Sequence, residues 1–125
     1  MGTRSVSRFD ETFGALKTLF DPYVPRLHVR DDTATAYTLY GETAAQFKGP
    51  MYFGGVRLGR NYVSFYLMPV YTNPELLSKA SDDLRKRMQG KSCFNFVRPD
   101  VSLFEELREL TGRGFTLYAT LGWVA

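Results

Sequence analysis

The chain of 125 residues contains one cysteine, Cys93, one histidine, His28, and one tryptophan, Trp123. A lone cysteine excludes an intrachain disulfide and suits a reducing compartment. One cysteine and one histidine cannot build the usual zinc sites. Any nucleophile–histidine arrangement would have to recruit His28, which alternates with Leu27 and Val29 in a predicted strand. His28 is therefore read as a surface or structurally bonded side chain. No run approaches the ~20 apolar residues of a membrane helix, and the start, MGTRSVSRFDET, has no apolar signal core. A cytoplasmic protein without a membrane partner is the expectation. Charge of one sign is scarce as well. The 16 basic and 13 acidic residues leave a net +3, which serves solubility more than it defines a partner. Arg85, Lys86, Arg87 and Lys91 are the only basic cluster, read as a solvated face, so nucleic acid is not an expected partner.

Aromatic residues, by contrast, are plentiful. Ten Phe, eight Tyr and one Trp make up 15% of the chain, and rings of this kind dominate cores and binding surfaces. They concentrate in residues 51–68, MYFGGVRLGRNYVSFYLM, two alternating runs around Gly59 and Arg60. This pattern predicts a β-hairpin with a two-residue turn. Pairing Leu58 with Asn61 sets Val56 against Val63, Gly54 against Phe65 and Tyr52 against Leu67 on one, core-forming face. On the other face Arg57 meets Tyr62, Gly55 meets Ser64, Phe53 meets Tyr66 and Met51 meets Met68. Gly55 and Ser64 then leave a hollow walled by Phe53, Tyr62 and Tyr66, with Arg57 free to stack or hold an anion. The same hollow could instead receive one of the protein's own helices.

Around the hairpin, Phe9, Phe13, Leu16 and Phe20 form one stripe of a helix predicted over 8–20, capped by Ser7 with Asp10 in the capping box and ended by Asp21-Pro22. Residues 27–31 and 34–40 read as strands, and 41–50 as a loop. Asn73-Pro74 opens a short turn, and Ser81 starts a helix that stops at Gly90. Residues 93–97 make a fifth strand, with Phe94 and Phe96 on one side. Pro99 or Asp100 opens a helix to about Thr111 on which Leu103, Phe104, Leu107 and Leu110 are apolar; 115–121 reads as a separate short helix. The expected architecture is one α+β domain over residues 1–125, a single antiparallel sheet of about five strands with helices packed on it.

Two local signals lead away from enzyme chemistry. Gly90-Lys91-Ser92 has Arg85 where a phosphate loop needs its first glycine, and it follows a helix instead of a strand. Cys93 lies beside Lys91 but enters an apolar strand, which suits an inert thiol. No catalytic residue, metal ligand or cofactor is spelled out. The candidate site is the set Phe53, Gly55, Arg57, Tyr62, Ser64 and Tyr66, for a small organic ligand or a partner protein. Exposed tyrosines also suit a homodimer.

The blocks GGVRLGRNYVSFYLMPVY, LRKRMQGKSCFNF and LFEELRELTGRGF together resemble the YdhG-like family of small bacterial proteins, a domain of unknown function. The resemblance spans residues 9–118 and is most specific over 51–96. It implies a single domain with an antiparallel sheet and flanking helices, and it brings no catalytic residues with it. Some relatives are described as frataxin-like iron carriers. That alternative would use Glu105, Glu106 and Glu109 or Asp82 and Asp83, in a chain that departs from it by being net basic.

Overall fold

A computed structural model of the chain describes residues 3–44 and 48–125, and side chains from Arg8 onward. Helix α1 (Thr3–Lys17) runs into a 3-10 helix (Thr18–Arg26). Five strands follow: β1 (His28–Asp32), β2 (Ala36–Ala44), β3 (Gly49–Leu58), β4 (Val63–Leu67) and β5 (Cys93–Phe96). Between β4 and β5 lie α2 (Met68–Thr72), a 3-10 helix (Pro74–Lys79) and α3 (Asp82–Arg85). Helix α4 (Val101–Thr120) follows β5. The sheet has the order β1-β2-β3-β4-β5, with every neighbouring pair antiparallel. The α+β architecture with a single antiparallel sheet is as expected.

The amphipathic stripes explain the layer. Phe13, Leu16, Leu19 and Phe20 from the first helical segments are buried, and so are Leu103, Phe104, Leu107 and Leu110 from α4. They meet Leu39, Phe53, Val56, Phe65, Phe94 and Phe96 of the strands. Both helical segments thus cover one face of the sheet. Capping follows the sequence at three sites: the Glu75 amide donates to Asn73 Oδ1 at 3.3 Å, the Leu84 amide to Ser81 Oγ at 3.1 Å, and the Leu103 amide to Asp100 Oδ1 at 3.0 Å.

Several boundaries differ from expectation. α1 begins at Thr3, so position 7 lies within the helix instead of capping it; the Ser7 side chain is outside the described residues. Pro22 does not end the helical path, because 3-10 geometry carries it on to Arg26. The predicted 41–50 loop is largely strand, with β2 reaching Ala44 and β3 starting at Gly49; residues 45–47 lie outside the described residues. The helix expected after Ser81 shrinks to α3, because the segment beyond it turns to pair with β5. The Gln89 amide donates to the Cys93 carbonyl at 2.9 Å, and the Asn95 amide to the Arg87 carbonyl at 2.8 Å. The two predicted C-terminal helices are one. Gly114 sits inside α4 because a Cβ there would come within 2.9 Å of Pro69, so glycine permits close packing on α2.

The hairpin also differs. Leu58 pairs with Val63, Val56 with Phe65, Gly55 with Tyr66 and Arg57 with Ser64. The pairing is displaced by two residues from the expected one. The loop spans 59–62 and is closed by the Gly59 amide on the Tyr62 carbonyl at 3.0 Å. A two-residue primed turn needs positive φ at its first residue, and neither Gly59 nor Arg60 adopts it. Because side chains alternate with period two, a two-residue displacement keeps every hairpin residue from Gly54 to Leu67 on its expected face.

Candidate functional site

The face of the sheet away from the helices carries the second half of each alternation. On β2 it presents Thr38 and Tyr40, on β4 Ser64 and Tyr66, on β5 Cys93 and Asn95. β3 contributes Gly55 and Arg57, then changes phase. Leu39 pairs with Gly54 but Tyr40 pairs with Tyr52, so β3 has one extra residue at Phe53, a β-bulge. The bulge sends Phe53 into the core, where it is 0% exposed and packs on Phe20, Phe115 and Tyr118. It also swings Tyr52 onto the open face, its ring centroid 5.2 Å from that of Tyr40.

Phe53 is therefore not part of the site, and the expectation that it walls the hollow is corrected: Tyr52 takes its place. Gly55 differs too. A Cβ on it would lie 2.2 Å from the Tyr37 carbonyl oxygen, so glycine is there to let two backbones approach. A larger residue at Gly55 would strain the sheet before it filled any hollow.

The structure does bring Arg57, Tyr62, Ser64 and Tyr66 together. Beside a third of about 470 Å³, among His28, Arg30, Tyr40 and Glu42 toward β1, two adjoining open hollows lie on this face. The larger, of about 680 Å³, is bordered by Asp31, Thr38, Tyr40, Tyr52, Arg57 and Tyr66. The smaller, of about 290 Å³, lies among Arg57, Arg60, Tyr62, Ser64 and Tyr66. Arg57 and Tyr66 belong to both and form the ridge between them.

A polar chain holds the β4–β5 end of the face. Ser64 Oγ donates to Asn95 Oδ1 at 2.7 Å, and Asn95 Nδ2 donates to Gln89 Oε1 at 2.8 Å. The Tyr62 hydroxyl donates to the same Gln89 oxygen at 3.0 Å, and the Cys93 thiol faces Asn95 Oδ1 at 3.4 Å. Tyr62 and Ser64 are thus already engaged, whereas the Tyr40, Tyr52 and Tyr66 rings are half-buried. Burial raises the Tyr52 phenol far above its ordinary range; the neighbouring Tyr40 and Tyr66 add to this. Tyr66 is raised by burial as well, with Cys93 adding and the Ser64 hydroxyl opposing. Burial also pushes the Cys93 thiol up, which keeps it protonated at neutral pH and agrees with an inert role.

Arginine is set around the tyrosines. The Arg30 guanidinium lies 4.0 Å from the Tyr40 ring centroid, a cation–π contact. Asp31 accepts from Thr38 Oγ1 at 2.7 Å at the rim. Thr38, Tyr40, Gln89 and Asn95 were not singled out in the sequence, and Tyr52, expected on the core-forming face against Leu67, stands on the open face instead. Extending the alternation of β2 and β5 across the sheet would have found Thr38, Tyr40 and Asn95; no local signal marks Tyr52.

Other candidates lie apart. His28 Nε2 is 2.7 Å from Glu42 Oε2 on the β1 side of the sheet, outside the two adjoining hollows. On α4, Glu105 pairs with Arg108 at 3.4 Å and Glu109 with Arg113 at 2.7 Å. Glu106 accepts from the Ser81 amide at 2.9 Å and from Ser81 Oγ at 2.7 Å. Among the described residues, no three His, Cys, Asp or Glu side chains are grouped to hold a metal ion. No helix among them is long and apolar enough to cross a membrane.

Compared with known proteins, the chain matches no family model, and no curated protein or solved structure matches it.

Proposed function

We propose that the chain is a non-enzymatic binding module whose open sheet face takes a small organic ligand. One observation carries the reading: three tyrosine rings and an arginine border a hollow of about 680 Å³ that the helical layer leaves uncovered. Apolar walls with a few polar groups, at that size, are the common form of small-molecule sites. A partner protein is less well supported. The large apolar side chains left exposed, Val29, Tyr71, Val97, Val101 and Leu121, border neither of the two adjoining hollows. A reducing, cytoplasmic setting belongs to the same proposal and is supported by the single free thiol. So does membership of the YdhG-like family, which rests on the three sequence blocks.

A fragment screen followed by amide and side-chain NMR shifts tests the reading. Hits are expected to perturb Thr38, Tyr52, Arg57 and Tyr66 together, and Tyr66→Ala is expected to weaken them. Hits confined to the helical layer, or spread without a focus, would sink it.

A further inference from the structure

Arginine outnumbers free carboxylate on this face: Arg30, Arg57 and Arg60 stand there with Asp31, while Glu42 is taken up by His28. Lys17, Arg108 and Arg113 each have a carboxylate partner. Among the described residues Arg30, Arg57 and Arg60, like most of the other basic side chains, make no salt bridge, and these three lie on or beside the open face. Arg57 is exposed and stands on the ridge shared by both hollows, lining each of them with Tyr66. The one carboxylate bordering the larger hollow, Asp31, sits at its rim and is held by Thr38. A guanidinium offers a planar fork that matches a carboxylate or phosphate with two parallel hydrogen bonds. The half-buried phenols beside it offer ring faces, and as neutral hydroxyls they can donate to an anion.

Resting on the small-ligand reading above, we propose that the ligand of this face is a planar aromatic oxyanion. Its ring lies against Tyr40, Tyr52 and Tyr66, and its carboxylate or phosphate group is held by Arg57. Neither half of the recognition suffices alone. A ring without charge leaves the guanidinium unmatched, and an anion without a ring leaves the tyrosine wall wet.

The test uses four probes on the whole chain: naphthoate, naphthyl phosphate, naphthylmethanol and cyclohexanecarboxylate, each titrated by NMR. The two aromatic anions are expected to bind about tenfold more tightly than the alcohol, the worth of one charge-assisted contact. Whichever of the two binds better names the anionic group. Arg57→Gln is expected to erase the advantage while shifting the melting temperature by no more than about 3 °C, and Arg57→Lys to restore part of it. Added salt should weaken the anions and spare the alcohol. Equal binding of naphthoate and naphthylmethanol at the face would overturn the anion assignment and leave the small-ligand reading standing. Equal binding of naphthoate and cyclohexanecarboxylate would overturn the aromatic assignment in the same way. No shift at the face with any of the four would overturn this proposal, while fragments of other chemistry focused there would keep the broader reading.

Discussion

The two faces of one sheet are both lined with rings, but with different ones. Toward the helices stand Phe53, Phe65 and Phe94, without exposure, with Phe65 stacked on Phe20 of the 3-10 helix at 5.0 Å between centroids. Away from them stand Tyr40, Tyr52 and Tyr66, each half-buried. A phenylalanine ring can be fully dehydrated at no polar cost, while a phenol needs water or a partner. Tyr118 shows the rule from the other side. It is fully buried in the core, and its hydroxyl donates to the Tyr52 carbonyl at 2.6 Å. Tyr37 of β2, 4% exposed beside Phe20, is likewise a phenol on the helical side, so the hydroxyl biases the rings toward the wet face without sorting them outright, and the wet face is where a ligand finds rings with polar groups already in place.

Substitution at the two faces should separate them by size of effect. Phe53→Ala removes a core ring and is expected to destabilise by about 4 kcal/mol in urea denaturation. A loss below about 1 kcal/mol would put Phe53 back on the open side and break the contrast. Tyr118→Phe keeps the ring but deprives the Tyr52 carbonyl of its donor, at a cost of about 1 kcal/mol.

The phenols also set a pH signature. Burial raises Tyr52 and Tyr118 above the ordinary value of about 10, so the folded state holds these protons more tightly than the unfolded chain. Their stabilisation is complete below about pH 10 and is lost as pH climbs beyond it toward the folded values. Urea midpoints measured from neutral to alkaline pH should begin to fall near pH 9, where the raised Cys93 thiol starts to contribute, and fall mainly above about pH 10, less steeply there in Tyr118→Phe. A decline beginning near neutral pH would point to some other group. The smallest effect belongs to the open face: Arg57→Gln should change stability by no more than about 0.5 kcal/mol, because its side chain is exposed and unpaired by carboxylate.

Much of the architecture was legible along the chain. Helical periodicity placed Phe9, Phe13, Leu16 and Phe20 on one stripe, and Leu103, Phe104, Leu107 and Leu110 on another; all are buried but Phe9, which packs half-buried against the core. Alternation put Phe94 and Phe96 on one side of β5, and Arg57, Ser64 and Tyr66 on one side of the hairpin. The true pairing lies two positions from the expected one, yet those memberships persist because the pleat repeats every two residues. The site was legible as far as that period runs unbroken. It ends at Phe53, where one inserted residue exchanges Tyr52 for Phe53 between the faces. The role of Gly55 was misread for a related reason. Its small size answers the carbonyl of Tyr37 on the neighbouring strand, not an empty space above it.

The order of residues by itself determined which segments could bury an apolar stripe, where Ser81 and Asp100 could cap a helix, and the alternation that gives each strand two chemically distinct sides. Those properties depend on neighbours within a turn or two of the chain. Only the tertiary structure decided the position of the bulge, and with it which rings are sealed in the core and which surround Arg57. The bulge arises in the pairing of β3 with β2, and beside it Cβ atoms at Gly54 and Gly55 would strike the carbonyls of Tyr66 and Tyr37, residues distant in sequence that the fold lays alongside.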